Sequence, residues 1–356
     1  MPVLDIGLVY ETFETYPRGE ADPVDAQAEF EPESTIEALE AAILHLGHRP
    51  RRLGSPHALL GRMAEGGGPG VDVAFNLAEG WGGRNREAWA PVLLELAGIP
   101  TIGSDALSLS LSLDKAWANR WVASAGVPVA AQCVLSGGDE ARTATLPADF
   151  PLFVKPRWEG TAKGIRASSK VHTREALIAE VQRVVRDYEQ PALVEAFVPG
   201  PEYTITVVGN DPPVALPAVQ RALEVETGIG LHALEGPAAA TSSPPLEYVT
   251  PGALDASLER RLAELSLRVF GAYECRDFAR LDFRLDAQGS PVFLEINPLP
   301  TFATDGTFAI LAELEGCSLA EMLGRCVSAG LERLGLAGDR PGGGRGTMAS
   351  RTGRSR

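Results

Sequence analysis

The sequence predicts an α/β protein whose first part is a parallel-sheet domain and whose remainder mixes helices with paired strands. Two observations carry this prediction. Strand-like and helix-like segments alternate over the first third of the chain, which is typical of a parallel sheet covered by helices. Nearer the C-terminus, two strand-like segments are separated only by the turn AQGS, which predicts an antiparallel hairpin.

The composition narrows the class of protein. The 356 residues, 45% of them hydrophobic, are enough for about two or three packed domains. No apolar run is long enough to cross a membrane, and the start MPVLDIGLVY lacks the features of a signal peptide. A net charge of −15 disfavours nucleic acid as a partner, because it repels phosphate backbones. We therefore expect a cytoplasmic protein whose ligands are small molecules.

Residues 1–112 are predicted to form the parallel-sheet domain. They begin with the strand LDIGLVY and continue with the amphipathic helix STIEALEAAILHLGH, for which Ser34 or Thr35 is the expected N-cap. The segment VDVAFNLAEG predicts a second buried strand, and REAWAPVLLELAGIP predicts a helix that stops at Gly98 and Pro100. Ligands of such sheets bind beyond the carboxyl ends of the strands.

The rest of the chain is predicted to hold two subdomains and a tail. In residues 113–198, helices at DKAWANRWVASAGVP and REALIAEVQRVVRDY alternate with strands at FPLFVKP and PALVEAFV. Residues 199–337 contain the strand YTITVVG, a long loop at residues 221–251, the helix LDASLERRLAELSLRVFGAY, the hairpin and the last helices. Residues 338–356 are rich in glycine and arginine, which predicts a disordered tail.

Polar side chains alternate along both strands of the predicted hairpin. Arg280 and Asp282 share one face of ARLDFRL, and Glu295 and Asn297 share one face of PVFLEIN. Carboxylate and amide oxygens suit Mg²⁺, which completes its shell with water and substrate phosphates. The alternative is a solvated polar face of an antiparallel sheet. The apolar neighbours of Glu295 weaken that alternative, because buried carboxylates need a partner or a metal, and the hairpin alone leaves the two interpretations about equal.

The loop PRWEGTAKG is a candidate anion site. Gly160 and Gly164 would let backbone amides approach an anion, and Lys155 and Lys163 would bring positive charge to it. A glycine-containing surface turn is the alternative. The chain has 32 basic residues but only four lysines, and two of the four lie in or beside this loop. This concentration of lysine favours a phosphate site over a surface turn.

The segment LVEAFVPGPEYT is a candidate nucleotide contact. It places Glu195 at a strand end and Glu202 after a Pro-Gly-Pro turn, where backbone groups could meet an adenine edge and a carboxylate could meet a ribose. A plain linker explains the segment equally well. No Ser-His-Asp or Cys-His arrangement is indicated, and of the five histidines only His232, in the long loop, is a plausible site residue.

Taken in order, these segments resemble the ATP-grasp enzymes, and among them the D-alanine–D-alanine ligases. The resemblance covers about residues 72–334. It rests on GIPTIGS with the later DK and AGVP, on FVKPRWEGTAKGI, on LVEAFVPGPEYTITVVG and on FARLDFRL with VFLEINPLP, all in the family's order. It implies a Rossmann-like N-terminal domain followed by a two-subdomain ATP-grasp fold.

The resemblance also implies roles for matching residues. Arg280 would stabilise the tetrahedral oxyanion that forms when an amine attacks an acyl phosphate. Asp282, Glu295 and Asn297 would bind two Mg²⁺ ions, which Mn²⁺ is expected to be able to replace. The residues that would bind ATP are Lys115 and Lys155 for the phosphates, Glu159, Gly160 and Thr161 in a loop over the γ-phosphate, Glu195, Phe197 and Val198 for the adenine, and Glu202 for the ribose.

The departures from the family pattern concern the substrates. Glu29 is the match for the acidic residue that anchors the amine of the first substrate, and Glu79 stands where the family has a histidine. In the family, a lysine of the loop that covers the substrate contacts a phosphate. This chain lacks that lysine, and Lys163 is expected to make the contact instead. The turn that binds the second substrate's carboxylate, where the family has a serine, is occupied by Asp305, Gly306 and Thr307.

Together these features predict an ATP- and Mg²⁺-dependent ligase that joins a carboxylate to an amine. The expected substrates are amino acids or peptides, and the departures make the ligase chemistry better supported than D-alanine itself. One alternative is an ATP-grasp ligase of specialised metabolism that acts on a peptide or modified amino acid. Another is a nucleotide-binding regulator without turnover, against which the intact charged residues speak. The family is usually dimeric, which makes a homodimer the expected assembly.

Overall fold

The computed structural model describes residues 2–337 except residues 21, 67, 69, 222, 231–233 and 235–253. The predicted tail lies outside the described residues, and so does most of the predicted long loop with His232. The described chain is the expected α/β protein and is built on three sheets. None of its described helices is long and apolar enough to cross a membrane.

The first sheet is parallel, as predicted, with the strand order β2-β1-β3-β4. Its strands and helices are β1 (Asp5–Val9), α1 (Glu33–His45), β2 (Arg49–Gly54), α2 (Pro56–Ala64), β3 (Val73–Asn76), α3 (Trp89–Leu96) and β4 (Thr101–Ile102). The sequence prediction missed β2 and α2. Strand β2 reads RPRRLG and lies at the sheet edge with mostly exposed residues, so it lacks an apolar pattern.

The predicted start of α1 is wrong. The helix begins at Glu33 with Pro32 at the N-cap, so neither Ser34 nor Thr35 caps it. Thr35 instead donates a hydrogen bond from Oγ1 to Glu31 Oε2 at 2.9 Å. The hydroxyl of Thr35 is therefore used to hold a buried carboxylate and not a helix end.

The second sheet is antiparallel with the order β5-β8-β6-β7. Its region contains α4 (Ala106–Leu113), α5 (Lys115–Ser124), β5 (Gln132–Leu135), α6 (Gly138–Thr143), β6 (Leu152–Pro156), β7 (Lys170–Val171), α7 (Arg174–Tyr188) and β8 (Ala192–Ala196). Both ends of α7 were predicted correctly from its amphipathic pattern. Its first residue is defined by Thr173, whose side chain caps the helix by accepting from the N–H of Ala176. Helix α4, with its alternating ALSLSLSL sequence, was missed.

The third sheet has the order β10-β9-β12-β13, and β11 also pairs with β9. Its region contains β9 (Glu202–Val208), β10 (Val214–Ala215), β11 (Val219–Arg221), α8 (Ala256–Ala272), β12 (Phe278–Leu285), β13 (Pro291–Asn297), α9 (Thr307–Glu315) and α10 (Leu319–Arg333). The predicted hairpin of β12 and β13 is present as an antiparallel pair. Asp286 holds its turn by accepting from the N–H groups of Gln288 and Ser290.

The last two helices return to the first sheet. Phe308 of α9 and Leu323 of α10 share a buried core with Ile36 of α1 and Phe75 of β3. This return brings the connection between β13 and α9, residues 298–306, next to the carboxyl ends of the first sheet. The domain boundaries inferred from the sequence stay a prediction.

Candidate active site

The hairpin of β12 and β13 brings the four predicted polar residues together. Asp282 lies opposite Glu295, and Arg280 lies opposite Asn297. A guanidinium nitrogen of Arg280 is 3.2 Å from Asp282 and 3.9 Å from Glu295. The Asn297 amide nitrogen lies 3.4 Å from an oxygen of each carboxylate. The two strands therefore present one compact charged patch.

Lysines from the second sheet and from α5 complete this patch. Lys115 Nζ is 3.3 Å from Glu295 Oε2, and Lys155 Nζ is 2.7 Å from Glu195 Oε2. Burial disfavours the charged form of Glu295, but the cations around it, Lys115 first, hold its pKa at about 2. Burial also opposes the charge of Lys155, yet Glu195 and Glu295 shift its pKa upwards. Both side chains are thus ionised at neutral pH.

The oxygen donors of the patch fit Mg²⁺. Asp282 and Glu295 supply carboxylates and Asn297 supplies a side-chain amide, the hard ligands that this ion prefers. Thr204 Oγ1 donates to Asp282 Oδ1 at 2.6 Å, which fixes the orientation of that carboxylate. Among the described residues, no group of three or more His, Cys, Asp or Glu side chains is arranged to hold a metal, so the candidate depends on Asn297.

The predicted adenine and ribose contacts lie around the ends of β8 and β9. Phe197 and Val198 follow β8 and are half-buried. The ring of Phe197 has the ammonium of Lys170 at 4.2 Å and the guanidinium of Arg284 at 5.2 Å from its centroid. Glu202 is buried at the start of β9, where burial and then the negative charge of Asp282 raise its pKa to about 7.

The glycine-bearing loop after β6 contacts both the charged patch and the first sheet's region. Lys115 Nζ donates to the carbonyl oxygen of Glu159 at 2.5 Å. Lys163 Nζ lies 2.6 Å from the Glu159 carboxylate and 3.0 Å from that of Glu29. Thr161 has a φ of 45°, a left-handed conformation that side chains other than glycine seldom adopt. The loop is therefore held in a strained conformation by ion pairs.

Arg86 is a site residue that the sequence analysis missed. Its side chain is 2% exposed, and it donates to Glu29 Oε1 at 2.6 Å and to the Trp158 carbonyl oxygen at 2.8 Å. The N–H of Gly160 donates to the same Glu29 oxygen at 2.5 Å. Both oxygens of Glu29 are thus engaged by protein groups. The only sequence signal for Arg86 was its place in AEGWGGRNRE, the segment compared with the family.

The remaining predicted substrate residues fall in two segments, Glu79 after β3 and the consecutive residues 305–307 at the start of α9. Glu79 is half-buried after β3, and burial followed by the charge of Glu87 raises its pKa well above the usual value. Asp305 is exposed, and Gly306 stands at the N-cap of α9. Thr307 is buried.

Thr307 is tied to the charged patch by two residues that the sequence analysis did not single out. Arg221 donates to Thr307 Oγ1 at 2.6 Å and to Thr204 Oγ1 at 3.0 Å. Thr204 in turn donates to Asp282, so the first residue of α9 and the candidate metal ligand Asp282 belong to one hydrogen-bonded chain. No local sequence pattern predicts this hydrogen-bonded chain, because its residues are far apart in sequence.

Comparisons with known proteins identify the family. Residues 122–328 match the family model described as the D-ala D-ala ligase C-terminus. The chain is 34% identical over 251 residues to the uncharacterized protein y4sG of Sinorhizobium fredii, covering 70% of this chain and 72% of that one. It is 32% identical over 265 residues to the D-alanine–D-alanine ligase of Alcanivorax borkumensis, covering 74% and 79%.

Solved structures show the same fold. The D-alanine–D-alanine ligase from Bacillus anthracis complexed with ATP superposes with a TM-score of 0.68 at 19% identity, covering 93% of this chain and 98% of that one. The VanG D-Ala:D-Ser ligase from Enterococcus faecalis gives 0.66 at 19% identity, covering 92% and 100%. The predicted ATP-grasp fold is confirmed, and the chain belongs to the D-alanine–D-alanine ligase family of ATP-grasp enzymes.

Proposed function

We propose that the protein is an ATP- and Mg²⁺-dependent ligase that joins a carboxylate to the amine of an amino acid or related compound through an acyl phosphate. The observation that carries this proposal is the charged patch of the β12–β13 hairpin. There Arg280 and Lys115 lie within 4 Å of the Glu295 carboxylate. Phosphoryl transfer relies mainly on such positioned charge, because little covalent chemistry is left to the protein.

The metal would be held by Asp282, Glu295 and Asn297. The family resemblance implies two ions, and we expect Mn²⁺ to be able to replace Mg²⁺. When bound, the metal would neutralise the charge of the ATP phosphates. Glu295 needs no deprotonation to accept it, since its pKa of about 2 leaves it ionised at neutral pH.

The lysines would hold the phosphates of ATP. Lys155 keeps its ammonium charged through Glu195, and Lys115 lies between Glu295 and the loop carbonyl of Glu159. Lys163 is the proposed γ-phosphate contact. It now pairs with two carboxylates, so the γ-phosphate would compete with them for this ammonium. The closed loop of residues 159–164 would then exclude water from the acyl phosphate.

Arg280 would donate hydrogen bonds to the oxyanion that forms when the amine attacks the acyl phosphate. Burial opposes its charge, but Asp282 and Glu295 shift its pKa further upwards, so the guanidinium stays protonated. Glu195, Phe197 and Val198 are proposed for the adenine and Glu202 for the ribose.

The direct test is ADP release by the pure protein with ATP and Mg²⁺ and a panel of D- and L-amino acids. We expect release that depends on an amino acid, together with a new amide product detected by mass spectrometry. ATP binding without such release would favour the nucleotide-binding regulator. D-alanine as the sole productive substrate would contradict our expectation that the substrate differs from D-alanine.

The proposal also covers the cellular compartment and the assembly. A reaction that uses ATP and free amino acids fits the cytoplasm. A homodimer, as is usual in the family, is the proposed assembly, and the molar mass of the purified protein in solution tests it.

A further inference from the structure

The carboxyl ends of β1 and β3 carry a group of carboxylates that we name the acidic edge. Glu11 follows β1, Glu31 precedes α1, and Glu79 follows β3, with Glu87 close by in the sequence. The side chains of Glu11, Glu31 and Glu87 are buried and that of Glu79 is half-buried. The backbone N–H of Glu31 donates to the Glu11 carbonyl oxygen at 3.4 Å, so the segments are neighbours in space.

The cations near the acidic edge form ion pairs with carboxylates outside it. Arg86 pairs with Glu29 at 2.6 Å, and Lys163 divides its charge between Glu29 and Glu159. Within the described part of the chain, no ion pair or side-chain hydrogen bond reaches the carboxylate of Glu79 or Glu87. Among the described residues, Glu29 therefore has ion-pair partners, whereas Glu79 and Glu87 have none and feel Arg86 only at longer range.

Two buried polar atoms at the same place have no hydrogen-bond partner among the described residues, namely Glu11 Oε1 and Asn76 Nδ2. Both residues are only 2% exposed. The second Glu11 oxygen accepts from the N–H of Gly80 at 3.1 Å, so this carboxylate lies against the segment that carries Glu79. A cationic group of a ligand could donate to Glu11 Oε1, whereas Asn76 Nδ2 is itself a donor and would pair only with an acceptor of that ligand, such as its carboxylate.

The charge state of the acidic edge shows what kind of ligand would suit it. Burial raises the pKa of Glu11 to about 7, and burial together with the charge of Glu29 does the same for Glu87. A ligand cation would let these acids ionise and pair, whereas a neutral side chain would leave them buried and unpaired. The aromatic rings of Phe30 and Trp81, whose centroids are 6.5 Å apart, belong to the same segments, and the Trp81 ring is stacked on His57 at 4.3 Å.

We propose that the first substrate binds at the acidic edge and carries a second positive charge besides its α-amine, on an amino or guanidino side chain. The inference rests on the proposed ligase function and names the substrate class for it. One α-amine brings a single positive charge, and the acidic edge offers several carboxyl groups that have no ion-pair partner among the described residues. A diamino or guanidino acid therefore matches this edge better than alanine does.

Calorimetric binding to the full-length protein, with Mg²⁺ and a non-hydrolysable ATP analogue, tests the proposal. The probes are the two enantiomers of ornithine and of norvaline, which has the same carbon chain but no terminal amine. We expect one ornithine enantiomer to bind at least about ten-fold more tightly than the matching norvaline, because its terminal ammonium can form a charge-assisted hydrogen bond with the acidic edge. Equal affinities, or tighter binding of norvaline, would overturn the proposal.

Glu-to-Gln variants show whether the acidic edge is responsible. Glu79→Gln and Glu87→Gln remove a charge with little change of shape, and each is expected to reduce the ratio of ornithine to norvaline affinity about ten-fold. Glu95→Gln, at an exposed position of α3, removes the same charge elsewhere and should leave the ratio unchanged. An unchanged ratio in both edge variants, with normal thermal unfolding, would place the selectivity elsewhere and refute the assignment.

The ligase proposal fails separately from this one. Tight ornithine binding without any amino-acid-dependent ADP release would refute the ligase and leave the substrate class standing. ADP release that neutral amino acids support as well as basic ones would refute the substrate class and leave the ligase standing.

Discussion

Replacing Arg86 by methionine is the perturbation from which we expect the largest loss of stability. The Arg86 side chain is 2% exposed and pairs with the Glu29 carboxylate, which is 3% exposed. Methionine keeps much of the apolar volume but removes the charge and the bond to the Trp158 carbonyl oxygen. Of its partners among the described residues, the buried Glu29 would then keep Lys163 and the N–H of Gly160.

The size of the effect follows from the burial of the pair. Removing one member of a buried ion pair typically costs about 3–5 kcal/mol, because the other charge stays uncompensated. Lys163 continues to pair with Glu29, so we expect the Arg86→Met variant to lose about 3 kcal/mol of unfolding free energy, near the lower end of that range. Arg51→Met is the matched control. Arg51 is 54% exposed and Asp5 retains Arg49, so its loss should cost about 0–1 kcal/mol.

Urea unfolding at neutral pH, followed by tryptophan fluorescence and circular dichroism, measures both variants. The double variant Arg86→Met with Glu29→Gln removes the uncompensated charge as well. It should be destabilised by at least about 1 kcal/mol less than the sum of the single variants. A loss for Arg86→Met no larger than that for Arg51→Met would refute the reasoning, and so would simple additivity in the double variant.

Three further predictions follow from named groups. Burial raises the pKa of Glu11 from 4.5 to about 7, so the protonated acid stabilises the fold at low pH and this stability is lost as the pH rises through 7. Glu11→Gln should therefore gain about 1–3 kcal/mol relative to wild type between pH 5 and pH 8 in urea unfolding, and a difference independent of pH would contradict the assignment. Arg280→Met should lower kcat about 100- to 1000-fold with little change in the KM for ATP, and Arg280→Lys should restore part of it; an effect on KM alone would rule out the oxyanion role. Gly200→Ala should cost about 1–3 kcal/mol in thermal or urea unfolding, because the added Cβ would overlap the Leu285 carbonyl oxygen. Gly271→Ala, in α8 with nothing within 4 Å, should instead stabilise by about 0.5–1 kcal/mol, and equal effects of the two alanines would show that the contact does not matter.

Sequence patterns of short range were sufficient for much of the fold. The period of α7 and the alternation in the hairpin strands specify their own structure, because the neighbours that matter are within a few residues or across one turn. The same alternation predicted that Arg280, Asp282, Glu295 and Asn297 would converge. Strand β2 was not predicted, because an exposed edge strand needs no apolar pattern. The N-caps predicted for α1 were wrong, because the hydroxyl of Thr35 bonds the buried carboxylate of Glu31.

The sequence by itself therefore determined most of the elements, the family and the charged hairpin, since these depend on local periodicity and on motif order. Only the tertiary structure decided how the charges are shared. Arg86 and Glu29 are 57 positions apart, and their pairing engages the carboxylate that the family resemblance assigns to the substrate's amine. Buried charges select their partners by proximity in three dimensions, and nothing in the chain's local pattern encodes that choice. The acidic edge, whose carboxyl groups have no ion-pair partner among the described residues, became visible only once those pairs were assigned.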